Sequence, residues 1–323
     1  MKVGFIGTGN MGGALAHAAA QSPAPAELLL SNRTPEKAQA LAQQLGATVS
    51  DNETIAQTCD YIFLGVKPQM MADLLARLQP ILSRRQEDFV LVSMAAGLTL
   101  QRLREMAGLS CPILRIMPNT ACAVGAGLTL YVPSPEVTEE QLSAFLTLMS
   151  ASGRLEPLEE HLIDAGSAVA GCGGAFVSLF LEALADGAVT CGLPRDKARR
   201  YAAQMVLGTA QLALQSDQHT AAMKDAVCSP GGTTIAGIRA LERGGQPVFA
   251  DGGAALAGLS AREIGALAGR WAAFDRAENP SPEDGEERLE GLKKAWSTRP
   301  MSAFAGACSN ALARFRRRSG PNR

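Results

Sequence analysis

The chain has 323 residues, 47% of them apolar, and a formal net charge of −1. This length is enough for two domains with buried cores, and the balanced charge gives no electrostatic argument for nucleic acid as a partner. The seven cysteines include no CxxC pair and the three histidines form no metal-spaced cluster, so we expect no metal site and a reducing environment.

The N-terminus enters a predicted strand almost at once, which leaves no room for a signal peptide. No apolar run in the sequence approaches the length of a membrane span. We therefore expect a soluble, cytoplasmic protein with no membrane partner.

The first segment, MKVGFIGTGNMGG, has the pattern of a dinucleotide-binding turn. An apolar run, Val3–Ile6, precedes glycines at GxGxxG spacing, and an Ala-rich helical pattern follows. In this pattern Gly7 makes the tight turn, Gly9 lets a pyrophosphate approach the backbone, and Gly12 allows close helix–strand packing. A second apolar run, Leu28–Leu30, follows at about the distance that one βαβ unit needs.

The residues after that second strand predict the type of dinucleotide. A cofactor with a free ribose 2′-hydroxyl normally meets an Asp or Glu here, but the chain has Ser31, Asn32, Arg33 and Thr34. Hydroxyl, amide and guanidinium groups suit a 2′-phosphate, so the sequence favours NADP over NAD. The alternative is a solvated polar turn without a ligand.

Short β-rich runs continue to alternate with helical patterns. The further strand candidates are Tyr61–Val66, Phe89–Ser93, Ile113–Ile116 and Leu128–Val132. This alternation predicts a doubly wound parallel sheet of the Rossmann type. Because ligands bind at the carboxyl ends of such strands, the segments after them should line one crevice. Those segments are Lys67–Gln69, Met94–Gly97 and Met117–Thr120.

Beyond Pro157 the strand pattern ends, and an Ala-, Leu- and Gly-rich helical pattern runs from about Leu162 to Gln215 with a break at Gly192-Leu193-Pro194. The predicted fold is an α/β Rossmann-type domain followed by an all-α domain. We assign residues 1–157 to the first, 158–277 to the second and 278–323 to a tail. Apolar helices rich in small residues suggest a homodimer interface, and a monomeric helical bundle is the alternative.

The segment VCSPGGTTIAGIRALERGG at 227–245 predicts an anion site at the start of a helix. With Pro230 at the first helical position, several backbone N–H groups lack intrahelical acceptors and lie at the positive end of the helix dipole. Those are the groups of Gly231, Gly232, Thr233 and Thr234. The buried face of the helix would be Ile235, Ile238 and Leu241. The alternative is a capped helix start without a ligand.

The tail has two charged parts. Residues 278–290 are acidic and rich in proline and serine, and Arg314–Arg318 form a basic cluster. We expect disorder or weak helix here, and a solvated tail rather than a contact with nucleic acid or lipid.

Several ordered motifs together resemble one enzyme family. They are GFIGTGNMG, FLGVKPQ, SMAAG, RIMPNT, EALADGAVTCGLPR and KDAVCSPGGTT. This set resembles pyrroline-5-carboxylate reductase, the last enzyme of proline synthesis, and SPGGTT is its most family-specific element. The resemblance implies an oxidoreductase that uses NADPH, or NADH, to reduce a C=N bond. It also implies a homodimer or a higher assembly of dimers.

The resemblance implies cofactor roles for matching positions. Residues Gly7, Thr8, Gly9, Asn10 and Met11 would hold the pyrophosphate. Ser31, Asn32 and Arg33 would face the 2′-phosphate, and Asn52 would lie near the adenine ribose. Val66, Lys67 and Pro68 would flank the cofactor, with Ala95, Ala96 and Asn119 near the nicotinamide.

The resemblance also implies how a cyclic imine acid would bind. Its carboxylate would bind the amides of Gly231, Gly232 and Thr233, and the Thr234 hydroxyl would hydrogen-bond the ring nitrogen. A protonated cyclic imine is already a good hydride acceptor, so catalysis is mostly positioning. Lys67 could act as a base, but a lysine directly before a proline at a strand end is better suited to shaping the crevice.

The chain departs from the family pattern at two places. The family usually has a proline where AGCGGAF has Gly174, and losing that fixed φ angle costs about 0.4–1 kcal/mol. After Gly245 the family usually ends with an aromatic residue and one amphipathic helix, whereas this chain continues to Arg323. Either Leu259–Trp271 replaces that helix, or the reading frame has changed near residue 246.

Two other functions fit parts of the sequence. A β-hydroxyacid dehydrogenase shares the two-domain plan, but that class uses a lysine on an interdomain helix, and SAVAGCGGAFVSLFLEALADG has none. A cofactor-binding sensor or scaffold without turnover would fit the altered C-terminus and Gly174. The intact SPGGTT segment argues against it, because only substrate binding obviously requires that segment.

Overall fold

The computed structural model describes residues 1–243, which belong to one compact unit. Residues 244–323 lie outside the described part. The predictions for Leu259–Trp271, the acidic segment and the Arg314–Arg318 cluster therefore fall on residues outside it, as does the seventh cysteine, Cys308.

The N-terminal half forms one eight-stranded sheet with the order β3-β2-β1-β4-β5-β6-β7-β8. The strands are β1 (Lys2–Ile6), β2 (Glu27–Ser31), β3 (Thr48–Val49), β4 (Tyr61–Leu64), β5 (Val90–Ser93), β6 (Ile113–Met117), β7 (Gly127–Pro133) and β8 (Gly153–Pro157). The order reverses beside β1, as in a doubly wound fold, and the predicted Rossmann-type sheet is confirmed.

One strand departs from the predicted all-parallel sheet. Strand β7 pairs with β6 antiparallel, with Arg115 opposite Val132, whereas every other pair in the described sheet is parallel. The connection contains only the short 3₁₀ segment Thr120–Val124. A parallel crossover needs a dozen or more residues, so this connection is too short for one.

Helices cover both faces of the sheet. They are α1 (Asn10–Ala20), α2 (Pro35–Leu45), α3 (Asn52–Thr58), α4 (Met71–Leu82), α5 (Leu100–Ala107) and α6 (Glu139–Met149). One core packs α1 and α6 on the sheet around Phe5, Phe63 and Phe145, and the other packs α3, α4 and α5 around Ile62 and Leu78. The resulting three layers hold the carboxyl ends of the parallel strands in fixed register.

The chain after β8 is helical to the end of the described part. Its helices are α7 (Ile163–Ser167), α8 (Gly173–Thr190), α9 (Arg195–Gln215), α10 (Thr220–Ala226) and α11 (Thr233–Arg243), with a π-helical turn, Ala168–Cys172, between α7 and α8. The predicted break at Gly192-Leu193-Pro194 is confirmed, since Gly192 has φ +93° between α8 and α9. Helix α8 is continuous through Gly174.

Helices α8 and α9 leave much of their apolar surface uncovered. Ala185 is the one buried residue of α8, whereas Leu179 is 59% exposed and Leu212 on α9 is also 59% exposed. Within the continuous helical segment Glu160–Thr190, an 18-residue stretch has a mean hydropathy of 1.7, and by length and composition the helix could cross a membrane. The expectation that no segment approaches a membrane span is therefore wrong, although core and interface helices meet the same criterion.

Candidate nucleotide crevice and substrate turn

The glycine turn between β1 and α1 is built by close backbone contacts. Gly7 has φ +99°, and a Cβ there would lie 2.6 Å from the Gly65 carbonyl oxygen. A Cβ on Gly12 would lie 2.1 Å from the Gly7 oxygen, so this position requires glycine. At Gly9, in contrast, a Cβ would meet nothing within 4 Å. That open position at the N-terminus of α1 is where a pyrophosphate can approach the backbone.

The predicted residues at the end of β2 form a hydrogen-bonded network with the glycine turn. The Thr8 backbone N–H donates to Asn32 Oδ1 at 3.2 Å, and Asn32 Nδ2 donates to the Thr34 carbonyl at 3.1 Å. Ser31 Oγ donates to Asn52 Oδ1 at 2.6 Å, which joins β2 to α3. The sequence did not indicate the link from Asn32 to the turn, because it is a side-chain contact between segments far apart in the chain.

The remaining groups here fit a phosphorylated nucleotide. The Thr8 hydroxyl oxygen is buried and has no hydrogen-bond partner within residues 1–243. Asn10 is exposed, Met11 is half-buried, and both start α1 beside Gly9. Arg33 is exposed, and its guanidinium has no hydrogen bond or ion pair among the described residues. Unengaged donors beside an open glycine turn are what a bound dinucleotide phosphate requires.

The carboxyl ends of β4 and β5 lie on either side of the next part of the crevice. Val66 and Pro68 are half-buried, and Lys67 is exposed, with its side chain making no hydrogen bond or ion pair in the described part of the chain. Ala95 is buried, its N–H donating to Ser93 Oγ at 3.4 Å, whereas Ala96 is exposed. The predicted cofactor residues of these two loops therefore follow adjacent strands at one edge of the sheet.

Asn119, at the carboxyl end of β6, is engaged by backbone groups. Its Nδ2 donates to the Ala170 carbonyl at 3.1 Å, and its Oδ1 accepts the Leu128 N–H at 3.3 Å. Both contacts fix the side chain beside the predicted nicotinamide loops. Its assignment as a cofactor contact stays a prediction.

The SPGGTT segment adopts a tight turn and not the predicted helix start at Pro230. The Gly232 N–H donates to the Ser229 carbonyl at 3.0 Å, with Pro230 and Gly231 (φ +68°) between them. Proline followed by a glycine of positive φ is the pattern of a type II turn, so α11 begins only at Thr233. The predicted helix start was wrong because proline suits both the first position of a helix and the second position of a type II turn.

This turn still presents free donors to solvent. Of the four predicted amides, Gly232 is engaged in the turn, whereas Gly231, Thr233 and Thr234 donate to no carbonyl within the described residues. The Thr234 side chain is exposed. Ile235 and Leu241, predicted to be buried, are 41% and 46% exposed, so the face of α11 is not covered within this part of the chain.

Within residues 1–243 the cysteines and histidines form no reactive centre. Burial raises the pKa of Cys59 to about 11 and that of Cys111 to about 12, so both are neutral thiols at physiological pH. Cys191, in contrast, is exposed. Among residues 1–243, no group of three or more His, Cys, Asp or Glu could hold a metal ion.

Known protein families match both the N-terminal and the C-terminal half of the chain. Residues 160–263 match the family "Pyrroline-5-carboxylate reductase dimerisation", and residues 2–97 match "NADP oxidoreductase coenzyme F420-dependent". The pyrroline-5-carboxylate reductase of Escherichia coli K12 is 40% identical over 247 residues, which cover 76% of this chain and 91% of that protein. This chain belongs to the pyrroline-5-carboxylate reductase family. It is an NADP(H)-dependent oxidoreductase acting on a C=N bond.

Solved structures agree with this assignment of the pyrroline-5-carboxylate reductase fold. The reductase from Streptococcus pyogenes is 33% identical with a TM-score of 0.70, covering 80% of this chain and 96% of its own. The Plasmodium falciparum enzyme, solved with NADP bound, is 31% identical with a TM-score of 0.69, covering 80% and 95%. The predicted use of NADP is thereby confirmed.

Arg33 gives a direct test of the 2′-phosphate site. Its free guanidinium would form a charge-assisted bond of about 1.5–3 kcal/mol, so Arg33→Ala is expected to raise KM for NADPH by about tenfold to a hundredfold. KM for NADH should stay unchanged, because NADH lacks that phosphate. Steady-state kinetics with both cofactors measure this. Arg84→Ala, which removes an exposed arginine from the C-terminal side of α4, is the control, and an equal loss with NADH would contradict the assignment.

Proposed function

We infer that this chain catalyses the NADPH-dependent reduction of 1-pyrroline-5-carboxylate to L-proline, the last step of proline biosynthesis. The observation that carries the proposal is the exposed SPGGTT turn, with free amides beside the Thr234 hydroxyl in a chain that also holds an open glycine turn. The non-catalytic sensor gains no support, because the relatives with full-length similarity are reductases.

The nucleotide domain binds the cofactor and positions its nicotinamide. The backbone around Gly9 and the buried Thr8 hydroxyl bind the pyrophosphate, and Ser31, Asn32 and Arg33 bind the 2′-phosphate side. NADPH, when bound, supplies the hydride. The loops after β4 and β5, with Ala95 and Ala96, form the nicotinamide wall. No His, Cys or Lys constellation is required, because the protonated imine is itself an electrophile.

The turn supplies substrate binding. The N–H groups of Gly231 and Thr233 bind the carboxylate, and the positive φ of Gly231 lets the turn present them on one side. The Thr234 hydroxyl accepts a hydrogen bond from the iminium N–H, and it stays hydrogen-bonded to the amine that forms. We assign these roles on geometry and on family resemblance together.

We propose that a homodimer completes the site. Residues 228–234 make no hydrogen bond or ion pair with the nucleotide domain in the part of the chain that the structure describes. The apolar faces of α8 and α9 are exposed, so a second copy can cover them. Such a copy would also hold the SPGGTT turn in a fixed position relative to a nucleotide crevice. We place the boundary between the domains at residue 157 and the enzyme in the cytoplasm as a soluble dimer or an assembly of dimers.

The test is NADPH oxidation with pyrroline-5-carboxylate by the full chain and by Thr234→Ala. Removing one hydrogen bond to a charged group costs about 1.5–3 kcal/mol, so kcat/KM is expected to fall by about tenfold to a hundredfold. Thr234→Ser keeps the hydroxyl and should retain most of the activity. Thr147→Ala is the matched control, because its exposed hydroxyl only donates to the Ser143 carbonyl on α6.

Three results would each contradict one part of the proposal. NADPH binding without turnover in the full chain would restore the sensor hypothesis. Equal activity of Thr234→Ala and the full chain would remove the proposed role of that hydroxyl but leave the reductase assignment. Recovery of the protein in the membrane fraction would indicate that lipid and not a second copy covers α8.

A further inference from the structure

A π-helical turn lies near the start of the helical domain. Residues Ala168–Cys172 form this turn between α7 and α8. The π turn is rare, and it occurs mostly as a single turn inside a longer helix, frequently at functional sites. Because it widens the helix, one or more carbonyls lose their usual partner four residues on, and a neighbouring group must replace it.

The chain before this turn is anchored to the sheet by charge. Arg115 on β6 is buried, and it donates to Glu160 Oε1 at 3.0 Å and approaches Asp164 Oδ1 at 3.4 Å. Glu160 Oε1 also accepts the Leu100 N–H at the start of α5, at 2.6 Å. This cluster fixes where α7 begins, before the π turn.

The turn itself is held by Asn119. Asn119 Nδ2 donates to the carbonyl of Ala170, the central residue of the π turn, at 3.1 Å. Ala170 and Ile163 also belong to a small apolar cluster with Met117 and Leu130 on β6 and β7. The Asn119 amide therefore makes a polar contact to the π turn beside this apolar cluster.

We propose that Asn119 is a positioning residue that holds the π turn against the carboxyl end of β6, in place of the direct cofactor contact that the family resemblance implies. One amide hydrogen and the carbonyl oxygen of its side chain already bond to backbone groups, which sets the orientation of the amide. Through the π turn Asn119 fixes where α8 begins relative to the carboxyl end of β6. This inference rests on the proposed function, since it concerns the alignment of imine and nicotinamide.

The proposal depends on the Asn119 amide N–H that donates to the Ala170 carbonyl. Replacing the amide by a carboxyl group tests this hydrogen bond. In Asn119→Asp the oxygen that accepts the Leu128 N–H is kept, but a carboxylate faces the Ala170 carbonyl and repels it. When the new carboxyl group is protonated, its O–H donates to that carbonyl again. The defect of the variant should therefore be largest at high pH and diminish as the pH falls.

The experiment compares the full chain, Asn119→Asp and Asn119→Ala by three measurements. We expect kcat with pyrroline-5-carboxylate to fall about tenfold in both variants. The Kd for NADPH, from fluorescence titration without substrate, should change less than about twofold, because the amide does not contact the cofactor. Hydrogen exchange of the backbone amides in residues 168–176 should accelerate. Relative to the full chain at each pH, only Asn119→Asp should regain kcat at low pH.

Asn32→Asp provides the contrast, because Asn32 also accepts one backbone N–H and donates to one carbonyl, but inside the nucleotide site. It should raise the Kd for NADPH and leave exchange at residues 168–176 unchanged. A rise in Kd above about threefold in the Asn119 variants, or unaltered exchange at the π turn, would overturn the proposal. If the full chain itself fails to turn over, the function is wrong, whereas the exchange measurement still tests the contact.

Discussion

Gly12→Ala is expected to weaken NADPH binding by about two orders of magnitude, because the loss of two charge-assisted hydrogen bonds of about 1.5 kcal/mol each has that effect. The added Cβ would lie 2.1 Å from the Gly7 carbonyl oxygen, closer than real Cβ contacts, and no side-chain rotation can separate a Cβ from a backbone oxygen. The turn must shift and misdirect its N–H groups. Overpacking of this kind also lowers the free energy of unfolding by about 1–3 kcal/mol.

Alanine variants of two neighbouring glycines distinguish an effect on packing from an effect on the approach of the ligand. A Cβ on Gly9 meets nothing within 4 Å, so Gly9→Ala should leave the Tm unchanged while its methyl group obstructs the pyrophosphate and raises the Kd. At Gly13 the nearest atom is Leu41 Cδ2 at 3.8 Å, so alanine should leave the Kd unchanged and, because Gly13 lies inside α1, should raise the Tm slightly. Thermal unfolding and NADPH titration of the three variants measure this. Full binding by Gly12→Ala would refute the geometry of the turn.

The residues of the nucleotide site that the sequence predicts lie close together along the chain. Glycine spacing identified Gly7, Gly9 and Gly12, since their roles follow from one turn and the helix after it. The contact of Asn32 with Thr8 depends on how β2 lies beside β1, so no local pattern contains it. The same reason explains why the partners of Asn119 were not predicted.

The missed strands also have physical explanations. Strand β3 has two residues, too few for a period of two to be detected. Strand β8, GRLEP, lies at the sheet edge with mixed polarity, so its pairing with β7 decides its conformation. The antiparallel direction of β7, in contrast, could have been derived from the short connection between Met117 and Gly127.

The apolar pattern of α8 predicts a partner but not which kind. The sequence gives the same run of Val, Leu, Phe and Ala for a core helix, an interface helix and a membrane span. Residues 1–243 do not make α8 a core helix, since Val177 is 43% and Leu184 39% exposed. The family match to a dimerisation domain over residues 160–263 favours the second.

Leu179→Glu is therefore expected to convert the protein to monomers and to abolish turnover while NADPH binding persists. Leu179 is 59% exposed in the single chain, so a glutamate there costs the isolated fold little. At an interface its carboxylate is buried without a counter-charge, at about 3 kcal/mol per copy, and a symmetric dimer contains it twice. Association then weakens by about four orders of magnitude.

Sedimentation velocity, turnover and NADPH titration of Leu179→Glu measure these three consequences. Ser143→Glu adds the same charge at an exposed position of α6 and should remain dimeric and active. A monomer that keeps full activity would mean that the SPGGTT turn reaches a crevice without a second copy. A Leu179→Glu protein that stays dimeric would instead place the interface on another face, and the exposed side of α9, with Leu207 and Leu212, is then the next to test.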